Sequence, residues 1–154
     1  MFNPTSPVTG SAQTGLTSPT YTLSNDTPPA SNAKQFAVTA LGGTQTGVDA
    51  HSVARPFTVT MFKPAVPKVL GQPNPITGIV SAVPNNVYTV ITRKGVTPLA
   101  GQASKVMLIE TKIHVPAGSD VADPQNVRAA LSEHLGTLAQ CSAGIGDTTI
   151  NGIL

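Results

Sequence analysis

The sequence predicts an α+β protein, in which an N-terminal β-hairpin and an antiparallel meander sheet are followed by two C-terminal helices. Three observations lead there. Between Tyr21 and Val115, apolar and polar side chains alternate with period two in Thr- and Val-rich segments. Fourteen prolines and fourteen glycines in 154 residues cut those segments apart. Helical spacing first appears after Pro116, so strands precede helices instead of interleaving with them, which excludes a parallel nucleotide-binding sheet.

Residues 1–19 are rich in Thr, Ser, Pro and Gly and predict an extended or flexible arm, leaving 20–154 as one domain. "PTYTLSND" alternates Tyr21 and Leu23 with polar neighbours, "TPPASN" breaks the pattern, and "KQFAVTALGG" resumes it through Phe36, Val38 and Ala40. The two segments predict a hairpin ended by Gly42 and Gly43. "PFTVTMF" places Phe57, Val59 and Met61 on one side and Thr58 and Thr60 on the other, one buried face and one wet face.

The run from Pro64 to Asn86 carries Pro64, Pro67, Pro73 and Pro75, each without a ladder donor, and predicts a long loop with a short strand at Ile79–Val83. "NVYTVITRKG" and "KVMLIETKIHV" are two further strands around the loop "VTPLAGQAS". Asp123 is placed to cap a helix with Pro124 at its first position, where a missing N–H costs nothing. Val127, Ala130, Leu131, His134, Leu135 and Leu138 form its apolar stripe. After "CSAGIG", read as a loop, Asp147 or Thr148 caps a short second helix.

Widths do not match. Five or more strands span roughly 25 Å at about 4.8 Å each, whereas a helix is about 10 to 12 Å across. One long and one short helix leave part of the sheet bare, and the simplest cover is a second copy of the chain.

Charge and chemistry narrow the function. From Lys34 to Lys112, eight basic residues face only Asp49 and Glu110, a net +6, while from Ile113 onward Arg128 opposes four carboxylates, a net −3. A basic sheet admits a polyanionic partner. No basic and apolar leader opens the chain, and no apolar run is long enough to cross a bilayer, so a membrane partner is not expected. His51, His114 and His134 have no metal-ligand spacing, and the carboxylates are unpaired, so neither a metal, a cofactor nor an enzyme is expected. The single cysteine, Cys141, excludes an intrachain disulfide and reads as a small buried hydrophobe.

The order of these segments resembles the coat protein of the single-stranded RNA bacteriophages, the levivirus-like group. The likeness runs from Pro19 to Leu154 through "PTYTLSND", "KQFAVTALGG", "RPFTVTMFKP", "NVYTVITRKG", "KVMLIETKIHVP" and "NVRAALSEHLGTLA". It rests on order and side-chain type instead of one strict motif. It implies an intertwined homodimer with a continuous sheet, packed through Val127, Leu131, Leu135 and Leu138, and an icosahedral virion shell assembled in the bacterial cytoplasm around genomic RNA. It also implies that Thr58, Thr60, Thr89, Arg93, Glu110, Lys112 and His114 lie on the inner, RNA-binding face, where a hairpin of operator type could bind. Two features depart from the family: the loop Pro64–Asn86 and the N-terminal arm are longer. Ile91 and Val106 are also apolar where an inner face should be polar, which weighs against hairpin specificity. A β-rich binding or adhesion module that does not assemble is the alternative; it would need no partner to bury the helices.

Overall fold

Every strand pairs with its sequence neighbour, so the sheet is an antiparallel meander of six strands in the order β1-β2-β3-β4-β5-β6. The computed structural model describes residues 1–154. The strands are β1 (Val8–Thr9), β2 (Thr17–Asp26), β3 (Ala33–Thr44), β4 (Phe57–Phe62), β5 (Asn85–Val96) and β6 (Lys105–Pro116). Helices α1 (Ser119–Ala122), α2 (Pro124–Gln140) and α3 (Ser142–Asn151) follow.

The N-terminal segment joins the sheet. Val8 and Thr9 pair with Tyr21 and Thr20, and Ser6 Oγ accepts the Leu23 N–H at 2.8 Å. Phe2 meets Phe36 edge to face at 5.8 Å. We call the side it crosses the arm face; it carries Phe36, Val38, Phe57, Val59 and Met61. A two-residue strand has no sequence periodicity of its own, so β1 is visible only through its partner.

Gly42 and Gly43 lie inside β3 instead of ending it. The register slips between Thr17 and Thr20, and at Gly43 (φ 73°) a Cβ would stand 2.1 Å from the Ser18 carbonyl oxygen. Only glycine allows the two backbones so close.

No strand forms at Ile79–Val83. The chain between β4 and β5 is irregular, because Asn74 closes a turn around Pro75: its backbone N–H donates to the Ile79 carbonyl at 2.9 Å, and its Oδ1 accepts from Ile76 and Thr77. That turn uses the backbone groups a ladder would need.

The helices also differ from expectation. The Asp123 carboxylate accepts the Asn126 N–H at 3.4 Å, and Pro124 occupies the first turn of α2, as the sequence predicts. α1 is a single turn that four residues cannot announce. α3 begins at Ser142, not at Asp147 or Thr148, and takes up the whole of "SAGIGDTT". The glycines that disguise it include Gly146, where a Cβ would lie 2.0 Å from Gln13 Oε1. Gln13 Nε2 in turn donates to Ser142 O and Oγ at 2.8 and 2.6 Å, tying α3 to the turn between β1 and β2. Cys141, at the corner between α2 and α3, is exposed instead of buried.

Gly146→Ala should therefore show two opposed effects. Alanine gains about 1 kcal/mol of helix propensity, and displacing Gln13 forfeits bonds of about 1 kcal/mol each. The net loss of about 1 kcal/mol should lower the melting temperature by about 2 to 4 °C, while Gln13→Ala, destabilising in the parent, should have no further effect in the Gly146→Ala background. Equal effects of Gln13→Ala in both backgrounds would contradict this coupling.

Burial is sparse. Only eight of 154 residues are buried, and none of them lies in α2 or α3.

Candidate functional site

The strand registers fix which side chains share a face. Ala37, Thr58, Arg93 and Leu108 stand in one row across β3 to β6, and Gln35, Thr60, Ile91 and Glu110 in the next. Phe62, Thr89 and Lys112 form a third row, and His114 stands opposite Val87. Thr58, Thr60, Thr89, Arg93, Glu110, Lys112 and His114 therefore all lie on the side opposite the arm face, which we call the polar face.

Their exposure is uneven. Thr58 and Thr60 are 4% and 0% exposed, so this part of the face is not wet as the alternation suggests. For Thr60 the cause is length: its short hydroxyl side chain sits between Gln35 and an arginine that hydrogen-bond to it, whereas Thr58 stands between Ala37 and Arg93. Arg93 donates to Thr60 Oγ1 at 3.2 Å, Thr60 Oγ1 donates to Gln35 Oε1 at 2.7 Å, and Gln35 Nε2 donates to Asp26 Oδ2 at 2.7 Å. An arginine can only donate and a carboxylate only accept, so this chain across four strands has one possible polarity. The bond from Gln35 and then the Thr27 backbone N–H hold the Asp26 carboxyl below its ordinary range. Gln35 and Asp26 escape a sequence reading because their role depends on the register between strands, which alternation within a strand does not carry.

Charge on the polar face is balanced. Lys112 pairs with Glu110 at 3.2 Å, and Asp26 terminates the Arg93 chain. Arg93 enters no salt bridge. Several of the remaining sheet cations are used elsewhere: Arg55 pairs with Asp49, Lys34 lies over the Phe36 ring, and Lys94 lies over Phe57 at 4.4 Å. Burial lowers the Lys94 pKa, partly offset by Asp49.

Two surfaces lack cover. β6 ends the strand order, so its outer edge has no ladder partner, and Val106, Met107, Leu108 and Ile109 are 42 to 54% exposed. α2 meets the sheet only at the end of β6, where Ile113 and Val115 share a groove with Val127, Leu131 and His134. Further along the same stripe, Leu135 is 59% and Leu138 38% exposed. No helix is long and apolar enough to cross a membrane.

A one-layer sheet with an open edge, and helices that cover little of their own chain, is the form of a structural protein in an assembly; comparison with known proteins places it more closely. No family model and no curated protein matches the chain. Among solved structures, a chain of the virus-like particle of bacteriophage ESE020 is 53% identical, superposes with a TM-score of 0.97, and is matched over 100% of both chains. The virus-like particle of Beihai levi-like virus 32 is matched at 17% identity over 87% of this chain and 88% of the other, with a TM-score of 0.46, too remote to bear on the reading. The chain belongs to the coat proteins of the levivirus-like RNA bacteriophages, and its role is structural and non-enzymatic.

Proposed function

We propose that this protein is a capsid subunit that forms an intertwined dimer and assembles, as dimers, into an icosahedral shell enclosing RNA. The observation that carries the reading is the full-length likeness to a chain of a virus-like particle, joined to a lone chain whose edge strand and helix stripe are uncovered. Antiparallel pairing of β6 with β6 of a second copy would satisfy both unpaired edges. α2 of each copy would then cover apolar residues of the other's arm face.

The polar face would be left for RNA. Arg93 is its best phosphate ligand, since its guanidinium is oriented by Thr60 and meets no carboxylate. Thr89, Lys112, Glu110 and His114 offer further polar contacts. Thr58 and Thr60 are too buried to touch RNA, and Thr60 serves as a positioning residue. The balanced charge favours general backbone contact over a tightly held hairpin. Assembly would take place in the cytoplasm of a bacterial host.

Light scattering and electron microscopy of the purified chain test the assembly: shells containing nucleic acid are expected, and a stable monomer at high concentration would refute it. Thr60→Val tests the positioning role. It keeps the shape but strands Gln35 Oε1, at a cost of about 1 to 3 kcal/mol, and frees Arg93. Packaged RNA should fall as far as in Arg93→Gln, with no further drop in the double variant. Additive losses would remove Thr60 from this role.

A further inference from the structure

We infer that the loop between β4 and β5 is a preformed docking finger, and that its occupant is the acidic helical tail of a second copy belonging to a neighbouring dimer. The inference rests on the capsid reading and goes beyond it by naming a contact between dimers.

The finger is apolar and exposed. Val66, Val69, Ile76, Ile79 and Val83 are 50 to 93% exposed, and Leu70 is 44% exposed. Protein monomers seldom leave so many large apolar side chains together in water without using them. The finger is also held in shape. The Asn86 side chain grips the backbone of Lys68 twice, accepting its N–H at 2.7 Å and donating to its carbonyl at 2.9 Å. Asn74 builds the turn at the tip, where Gly78 N–H returns to the Asn74 carbonyl at 2.8 Å. A loop fixed before contact loses little conformational entropy on binding.

Position selects the partner. A dimer of the proposed kind consumes the lateral edge of β6 and the arm face. The finger joins the last residue of β4 to the first of β5, at one end of the strands, and so is not part of the lateral edge of β6. A closed shell needs contacts at the strand ends as well. Charge selects the surface on the partner: from Lys63 to Val83 the chain carries Lys63 and Lys68 and no carboxylate, while Ile113 to Leu154 is net −3. Asp120 and Glu133 are exposed on that tail. Lysines at the root of the finger meet the carboxylates of a net-negative tail, a complementary pairing.

Ile76→Asp and Ile79→Asp test the finger without threatening the fold, because both positions face water in the lone chain. Dimers should persist by size-exclusion chromatography with light scattering, while particle yield falls at least about tenfold, the effect of roughly 1.4 kcal/mol per contact. Lys68→Glu should weaken assembly, and Lys68→Glu with Glu133→Lys should restore it. Particles in normal yield from both aspartate variants would overturn the proposal, as would loss of the dimer itself. Failure of the charge swap to rescue would overturn the helical tail as the docking surface. The unaltered chain run alongside separates the two levels: if it forms no particles, it is the capsid reading that has failed.

Discussion

Leu135→Asp should abolish the dimer. In the lone chain Leu135 is 59% exposed, so an aspartate there remains hydrated and the folding of a single chain gives no reason to avoid it. In the proposed dimer the same position is pressed against the partner's sheet, where an unpaired carboxylate costs several kcal/mol. Two-fold symmetry imposes that cost twice, once for each copy. Leu131→Asp should act alike from its place in the groove beside β6. Because only eight residues are buried in one chain, loss of the partner should also leave the sheet open to proteolysis. Ser132→Asp, one position away and off the stripe, supplies the control and should leave dimers intact. Sedimentation at matched concentration makes the measurement. Dimers of Leu135→Asp in parental yield would mean that the stripe faces water in the assembly as well, and the intertwined arrangement would be wrong.

That helix was legible from the sequence for physical reasons. Asp123, Pro124 and a stripe at helical spacing are local signals, and α2 runs where they place it. The five strands β2 to β6 were legible for the same reason, since alternation depends on each strand alone. What escaped depends on distant contacts. β1 exists because Val8 and Thr9 find Tyr21 and Thr20. α3 contains Gly144 and Gly146, poor helix residues, and the second of them makes room for Gln13, more than a hundred residues away. The parity of Thr58 and Thr60 was readable, but the burial of Thr60 was not, because it comes from Gln35 and Arg93 on the adjacent strands. The polar face was thus visible residue by residue, while the bonded chain through it required the register.

Removing charge from that face should change RNA content more than particle yield. Arg93→Gln takes away the cation that meets no carboxylate, and Lys112→Gln takes away the partner of Glu110, leaving the face net negative. The paired variant should therefore assemble shells with markedly less RNA, seen as a fall in the ratio of absorbance at nucleic-acid and protein wavelengths. For dimers titrated with a single-stranded oligonucleotide, each phosphate-binding cation removed should flatten the log–log salt dependence by about 0.7. Two controls give the result its direction. Glu110→Gln removes a negative charge from the same face and should raise RNA content, and Lys34→Gln, whose ammonium lies on the arm face over Phe36, should leave it unchanged. A generic loss of positive charge would make Lys34→Gln as damaging as Arg93→Gln. If it is, or if the paired variant packages RNA as the parent does, the polar face is not where the genome lies.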